Sequence, residues 1–356
     1  MISPRIDALR SNLGEHKLDA ILVSSLPNIR YLSGFTGSHA LCLLTSSNQF
    51  LLTDGRYVQQ ARSEVTEFQT RFSSGSLFEL MRAKKIAANL RRVGYESQTM
   101  TVAEFANLKK FFPRLEFIPS SFLIPSLRAI KDSSELASIR GAVEISDKVF
   151  QKILGIIKSG MTERAVAAEI TYWHARYGAE ADAFEPIVAS GIRGALPHGR
   201  ASEKKIQRGE LVTLDFGCRY RGYHSDLTRT VSVGPPTSEL KKIHRIVLEA
   251  QERATEFVKT GIATKKIDAI ARSFIVKKKF GKYFNHSLGH GIGLEVHESP
   301  HVSRFSKERL ATGNVITIEP GVYIPRFGGV RIEDDVLVTT SGGERLNRSP
   351  KELLVL

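Results

Sequence analysis

The stretch ELVTLDFGCRYRGYHSDLTRT, residues 210–230, contains two acidic residues inside runs that are otherwise typical of β-strands. Asp215 lies in VTLDFG and Asp226 lies in HSDLTRT. A hairpin centred between Tyr220 and Arg221 would place the two carboxylates directly opposite each other, on one face. Carboxylates that close repel each other unless a cation lies between them. The stretch therefore predicts an antiparallel hairpin that helps to bind a metal.

Two further carboxylates occur in similar surroundings, Glu319 in VITIEPG and Glu333 in GGVRIEDD. Burying an ionised carboxylate is unfavourable unless it is paired or binds a metal. Any one of the four residues alone is typical of a cap, a turn or a salt bridge, but their joint occurrence favours a common cation. Arg331 lies two residues before Glu333 and so shares its strand face. We expect Arg331 to steady the carboxylates or a substrate carboxylate.

The glycine-rich stretch HSLGHGIGLEVHESPH, residues 286–301, holds four of the ten histidines of the chain. Either a solvated loop or a metal site would account for it. Oxygen ligands together with imidazole suit Mn²⁺, Co²⁺ or Zn²⁺. Four carboxylates exceed the need of one catalytic ion and favour a two-metal site. The H-E-x-x-H motif is absent, which excludes a zincin.

A chain of 356 residues predicts two domains, which we place at 1–125 and 126–356. In the first, apolar runs of strand length alternate with helical spacing, which predicts an α/β domain. Its expected strands are 19–25, 40–45 and 49–54, and its expected helices are 56–65 and 76–93. GFTGSHA, residues 34–40, lacks the Lys-Ser/Thr ending of a phosphate loop, so we expect a turn there.

The second domain combines long helices with antiparallel strands, an α+β pattern. Capping residues and apolar spacing predict helices at about 132–160, 162–178 and 237–261. Apolar runs predict strands at 210–217, 228–234, 313–323 and 328–339.

Composition excludes several classes of protein. No run approaches the roughly 20 apolar residues of a membrane span, and the first residues lack the apolar core of a secretion signal. Two cysteines cannot form a disulfide framework, so we expect a cytoplasmic protein. The net charge of +14 is spread along the chain without an RNA-binding motif, so we expect no nucleic-acid partner.

Five motifs occur in one order along residues 195–335: ALPHGRASEKKIQRGELVTLDFG, GYHSDLTRT, HSLGHGIGLEVHESP, VITIEPGVYIP and GGVRIEDD. Together they resemble the pita-bread metallopeptidases, in the proline-specific branch of aminopeptidase P and prolidase. NIRYLSGFTGS and LLTDGRY resemble the N-terminal domain of that branch, so the likeness covers nearly the whole chain. The resemblance implies a creatinase-like α/β domain followed by an α+β pita-bread catalytic domain.

The resemblance also implies a dinuclear site for two divalent ions, with Mn²⁺ expected and Co²⁺ or Zn²⁺ as alternatives. Asp226 and Glu333 would bridge the ions. The implied ligands are Asp215, Asp226, His290, Glu319 and Glu333. Glu319 would act as general base and His297 would stabilise the oxyanion, while His198 and His286 would line the substrate site. His301 receives no role and is expected to be a loop residue.

The implied substrates are peptides with proline second, and a homodimer is expected. Between the two activities of the branch, the motifs favour an Xaa-Pro aminopeptidase, with an Xaa-Pro dipeptidase (prolidase) as the alternative. A methionine aminopeptidase is less favoured, because such enzymes normally lack a large N-terminal α/β domain. A peptide-binding pseudo-enzyme on the same fold is a remote alternative, because every ligand position is filled.

Overall fold

The computed structural model describes residues 2–356, which divide into two compact units. The first ends at Arg128 and the second is Ala129–Leu356. The sequence placed this division between residues 125 and 126. Among the described residues, no helix has both the length and the apolar character needed to cross a membrane.

The first unit contains six helices and six strands. The helices are α1 (Ser3–Glu15), α2 (Leu26–Ser33), α3 (Val58–Glu64), α4 (Leu77–Ala83), α5 (Val102–Phe111) and α6 (Leu123–Arg128). The strands are β1 (Ala20–Val23), β2 (Ala40–Thr45), β3 (Gln49–Asp54), β4 (Gln69–Ser73), β5 (Arg92–Tyr95) and β6 (Glu116–Pro119).

These strands form one mixed sheet in the order β4-β3-β2-β1-β5-β6, so the predicted α/β class is confirmed. The helix expected at 76–93 is too long, because α4 ends at Ala83. Lys85 adopts a left-handed conformation with φ of 52°, which ends the helical path and lets the chain turn back toward β5.

The second unit combines long helices with many short strands. Its helices are α7 (Ser133–Leu154), α8 (Glu163–Arg176), α9 (Ser238–Glu256) and α10 (Thr264–Lys277). Its strands are β7 (Ala181–Asp182), β8 (Ile187–Ser190), β9 (Glu210–Phe216), β10 (Cys218–Tyr220), β11 (Tyr223–His224), β12 (Leu227–Val233), β13 (Gly289–Gly291), β14 (Glu298–Val302), β15 (Val315–Ile318), β16 (Gly321–Ile324), β17 (Gly328–Arg331), β18 (Asp334–Val338) and β19 (Gly343–Arg345).

The strands of this unit pair antiparallel in four sheets, and the α+β prediction is confirmed. The sheets have the orders β11-β10-β7, β12-β9-β8, β14-β13-β15-β18-β19 and β16-β17. Apolar residues of α7 and α8 pack against β8, β9 and β12, and those of α9 and α10 pack against β15 and β18. Helix α10 was not predicted from the sequence.

Side-chain N-caps lie at the starts of the three helices that the sequence predicted in this unit. Asp132 and Glu135 form the expected capping box at the start of α7. The Thr162 hydroxyl accepts the Ala165 N–H at the start of α8, and the Thr237 hydroxyl accepts the Leu240 N–H at the start of α9.

The register of the β9–β12 pair differs from the sequence expectation by two residues. Asp215 pairs with Thr228, not with Asp226. The turn lies between Arg221 and Gly222, which both have positive φ, at 49° and 81°. Two-residue hairpins favour this combination, with glycine second. A shift of two residues keeps the strand face, so Asp215 and Asp226 still lie on one side.

The two faces of this hairpin have different roles. Val212, Leu214 and Phe216 of β9 belong to the apolar cluster under α7 and α8. Asp215 alternates with these residues and so lies on the other face, beside Thr228 of the neighbouring strand.

Of the four acidic residues expected inside strands, only Asp215 lies in one. Asp226 lies between β11 and β12, Glu319 between β15 and β16, and Glu333 between β17 and β18. In each case the chain leaves one sheet and enters another. These three carboxylates therefore lie at sheet crossovers, where the strands interrupt their pairing.

Gly222→Ala is expected to lower the free energy of unfolding by about 1 kcal/mol, because alanine resists the positive φ of this turn. Chemical denaturation measures the effect. Gly155→Ala is the matched control, since Gly155 has φ of −83° and a Cβ there would meet ordinary contacts only. Equal effects of the two substitutions would contradict the proposed role of the turn.

Candidate metal centre

A cavity of about 530 Å³ lies in the second unit and is lined by all nine site residues that the sequence singled out. These residues come from distant parts of the chain, and they include both the acidic and the histidine-rich motifs. They are His198, Asp215, Asp226, His286, His290, His297, Glu319, Arg331 and Glu333.

Asp226, His290 and Glu333 form the tightest group, because each offers a ligand atom within 4.8 Å of the others. All three are buried, at 5%, 7% and 2% exposure. Glu319 lies next to them, with Oε1 3.4 Å from His290 Nε2. Asp215 completes the acidic wall of the cavity.

The hydrogen bonds of His290 leave one nitrogen for a ligand. Its Nδ1 lies 3.0 Å from the carbonyl oxygen of Gly291, which can only accept, so Nδ1 carries the proton. The lone pair of Nε2 therefore faces the carboxylates of Asp226 and Glu319. A backbone carbonyl that holds one imidazole nitrogen in this way is typical of metal-binding histidines.

Three carboxylate oxygens test whether the residues fit a cation. Asp215 Oδ1, Asp226 Oδ1 and Glu333 Oε1 are inaccessible to solvent and have no hydrogen-bond partner among residues 2–356. Buried polar atoms without partners are rare in folded proteins, and a site that binds an ion is one place where they occur. The donor set, carboxylate oxygens with one imidazole nitrogen, fits divalent metal ions such as Mn²⁺, Co²⁺ or Zn²⁺.

Burial and mutual repulsion shift the titration of this group when no cation is bound. Burial, together with the charge of Glu333, raises the pKa of Asp226 and of Glu319 well above their ordinary values. Burial and the charge of Asp215 raise the pKa of Glu333 to about 8. Burial lowers the pKa of His290 to about 3. All four shifts suppress charge, and for the carboxylates a bound cation would restore it.

Arg331 organises one side of the site. Its guanidinium contacts Asp215 and donates to Thr228 Oγ1 at 3.2 Å. Thr228 Oγ1 in turn donates to Glu333 Oε2 at 2.6 Å. Arg331 also donates to the Tyr323 hydroxyl at 2.7 Å. Arg331 thus contacts Asp215 directly and Glu333 through Thr228, and it occupies one oxygen of Asp215 while the other has no partner among the described residues.

Tyr323 also lines the cavity and was not predicted from the sequence. Its hydroxyl lies 3.0 Å from His286 Nε2, and His286 Nδ1 lies 2.7 Å from the Ser287 carbonyl oxygen. The carbonyl fixes the proton on Nδ1, so Tyr323 donates to Nε2. Both nitrogens of His286 are therefore engaged, and no N–H of this ring is left for a substrate. Tyr323 lies within the motif VITIEPGVYIP, but nothing in the sequence indicated its contacts with His286 and Arg331.

The other histidines line the cavity in different ways. His198 and His297 are exposed to it, and the ring of His297 lies 4.2 Å from that of His290. The expectation that His301 is a loop residue is wrong, because His301 lies in β14 and lines the cavity. The antiparallel pairing of β14 with β13 brings it to the site.

The lining of the cavity contains further residues to which the sequence assigned no role. Phe184, Ile187 and Val296 contribute apolar surface. Glu185 and Arg200 form an exposed ion pair at 3.3 Å beside them. The sequence did not indicate that these residues lie close together, because their proximity depends on the positions of β8 and the segment after it.

The fold and the cavity define the second unit as a pita-bread metallopeptidase catalytic domain. Residues 137–340 match the model of metallopeptidase family M24, and residues 5–130 match the creatinase/prolidase N-terminal domain. The chain belongs to metallopeptidase family M24.

Individual relatives match this chain over nearly its full length. The Xaa-Pro dipeptidase of Pyrococcus horikoshii is 40% identical over 99% of both chains. The structure of an Xaa-Pro dipeptidase from Bacillus anthracis superposes with a TM-score of 0.97 at 41% identity, covering 100% of both chains. The X-Pro aminopeptidase of Thermotoga maritima gives a TM-score of 0.90 at 39% identity, covering 96% of this chain and 98% of its own.

Stability of the metal-free protein should fall relative to a Glu333→Gln variant as the pH rises. The pKa of Glu333 is about 8 in the folded protein, against an ordinary value of 4.5. The folded state therefore binds the proton more tightly, and this contribution to stability is complete below pH ~4.5 and is lost as the pH rises through ~8.

Thermal unfolding in chelator at about pH 5 and pH 8 measures this difference. The melting temperature of the unsubstituted protein should drop by several degrees more than that of Glu333→Gln. Parallel pH dependence of the two proteins would contradict the assignment. Added Mn²⁺ should reverse the order at pH 8, because glutamine supplies a weaker ligand.

Proposed function

We propose that this chain is a metal-dependent Xaa-Pro dipeptidase, a prolidase. The observation that carries the proposal is the group of buried, partnerless carboxylate oxygens around His290, within a chain about 40% identical to a named Xaa-Pro dipeptidase over its length. The sequence alone favoured the Xaa-Pro aminopeptidase, but the named relatives support the dipeptidase better. The X-Pro aminopeptidase of Thermotoga maritima, at 39% identity, keeps that activity as the second candidate.

The residues that would hold the metal are Asp215, Asp226, His290, Glu319 and Glu333, all of which line the cavity. Two divalent ions held there would lower the pKa of a water molecule and polarise the substrate carbonyl. Manganese is the proposed metal. A cytoplasmic location and a homodimer stay predictions of the sequence.

Glu319 is the proposed proton acceptor. Its carboxylate is 18% exposed, and Oε1 accepts a hydrogen bond from Thr317 Oγ1 at 3.3 Å. The carboxylate is thus held from one side and open to the cavity on the other. In this position it can take a proton from the attacking water and later return it to the departing proline nitrogen.

Two histidines face the substrate. The ring of His297 lies beside that of His290, where an N–H can stabilise the oxygen of the cleaved carbonyl. His198 lies at the cavity wall and can orient the proline end of the substrate. His286 has both nitrogens engaged, so its proposed role is to hold Tyr323 and Arg331 in place.

The substrate class follows from the chemistry of proline. An Xaa-Pro bond is a tertiary amide without an N–H, so peptidases that bind an extended backbone through that group handle it poorly. The cavity of about 530 Å³ has apolar surface from Phe184, Ile187 and Val296 beside the charged wall. An apolar surface next to a metal centre suits a pyrrolidine ring.

Glu319→Gln should lower kcat by about 10²- to 10⁴-fold, since the variant cannot accept a proton. Steady-state kinetics and circular dichroism together separate this loss from misfolding. Glu295→Gln is the matched control, because Glu295 is exposed and lies outside the cavity lining. Near-normal turnover by a folded Glu319→Gln variant would rule out the assigned role.

The substrate assignment is tested by incubating the Mn²⁺-loaded protein with an equal mixture of Ala-Pro and Ala-Pro-Ala, beside a chelated control. Products are followed by mass. Metal-dependent loss of the dipeptide alone supports the dipeptidase. Release of Pro-Ala from the tripeptide instead favours the aminopeptidase, and no change in either peptide overturns both.

A further inference from the structure

Glu163 is a fully buried carboxylate outside the metal centre. It is the first residue of α8 and has 0% exposure. Each of its oxygens accepts hydrogen bonds from a different part of the chain. Such a residue is costly to bury without full pairing, so its partners indicate what it holds in place.

The first oxygen of Glu163 binds the end of β8. Oε1 accepts from the Ser190 backbone N–H at 2.8 Å and from the Ser190 hydroxyl at 2.9 Å. The second oxygen binds further along the chain. Oε2 accepts from Arg193 Nε at 2.9 Å, and from the Ser202 N–H and hydroxyl at 3.2 and 2.7 Å. One carboxylate thus joins Ser190 to Ser202.

The segment between these contacts, residues 191–201, is here called the His198 loop. Three of its residues, Pro197, His198 and Arg200, line the cavity. Arg193 reaches across the loop and donates to the Arg200 carbonyl oxygen at 2.6 Å. At the cavity side, Arg331 donates to the Pro197 carbonyl oxygen at 3.0 Å.

Glu163 at the base of the loop and Arg331 near the proposed metal ligands therefore both hold the loop. We propose that Glu163 is a positioning residue for the hydrolytic site, which fixes both limbs of the His198 loop so that His198 faces the substrate. The kinetic part of this inference rests on the proposed function, whereas the structural part does not. Glu163 is not among the residues that line the cavity and acts only through the loop.

Glu163→Gln tests the proposal, since an amide keeps the size of the side chain but loses one acceptor and the charge. Glu203→Gln is the matched control, because Glu203 lies two residues after the loop and forms an exposed pair with Arg164 at 2.6 Å. Both variants are made in the full chain and studied with Mn²⁺ bound.

Hydrogen exchange followed by mass spectrometry gives the first measurement. In Glu163→Gln, exchange over residues 190–202 should accelerate by about 10- to 100-fold, as expected from the loss of charge-assisted hydrogen bonds. Exchange in the β9–β12 hairpin and the affinity for Mn²⁺ should stay as in the unsubstituted protein. Unchanged exchange over the loop would overturn the proposal.

Kinetics on Ala-Pro gives the second measurement. Glu163→Gln should lower kcat/KM by about 10- to 100-fold, the size expected for a misplaced substrate-binding group. In a His198→Ala background the same substitution should cost little more, because both changes act through one side chain. Fully additive losses would show that Glu163 does not act through His198.

Ser202→Ala covers the case in which Glu163→Gln fails to fold. Ser202 is partly exposed, and its hydroxyl donates to Glu163 Oε2 at 2.7 Å, so the substitution weakens the hold of Glu163 on the second limb. Faster exchange over residues 196–201 supports the proposal and unchanged exchange overturns it. If the unsubstituted protein leaves Ala-Pro intact, the proposed function fails while hydrogen exchange still decides the role of Glu163.

Discussion

Repulsion among buried carboxylates is the constraint on which the catalytic unit depends. Burial raises the pKa of Asp226, Glu319 and Glu333, the charge of Glu333 adds to the effect on the first two, and the charge of Asp215 adds to the effect on Glu333. Without a cation these groups hold protons at a pH where free carboxyl groups are ionised. The fold surrounds them with two buried helix–sheet layers, so the apolar packing of those layers must outweigh this repulsion until a metal binds.

A guanidinium group and a hydroxyl group reduce the repulsion among the carboxylates, but each of them pairs with only one oxygen of its carboxylate. Arg331 occupies one oxygen of Asp215, and Thr228 donates to one oxygen of Glu333. The remaining oxygen of each residue has no partner among the described residues. The same contacts therefore do two things: they hold each carboxylate and they leave one oxygen per residue without a protein partner, which is the observation behind the proposed metal site.

Much of this arrangement was predictable because local patterns report local structure. An apolar run marked β9, and capping residues marked the starts of α7, α8 and α9. The acidic residues were noticeable because they interrupt apolar runs. The nine site residues named from the motifs and the resemblance all line the cavity.

What the sequence could not supply depends on contacts between distant segments. Tyr323 and His301 reach the cavity only because β16 and β14 lie where the sheets place them. Both nitrogens of His286 are hydrogen-bonded only because Tyr323 lies beside the ring. The proposed function of Glu163 depends on Ser202, which is distant in sequence but binds its carboxylate. Helix α10 was not predicted, and the hairpin centre lies one position later than expected because Gly222 readily adopts the positive φ of the second turn position.

The hairpin between β9 and β12 also constrains how relatives of this protein can vary in length. Side chains alternate between faces with a period of two. Adding or removing one residue in the turn would exchange the apolar and acidic faces of a whole strand, whereas a change of two would preserve both. Insertions that survive in this turn should therefore come in even numbers, or bring a compensating bulge with them.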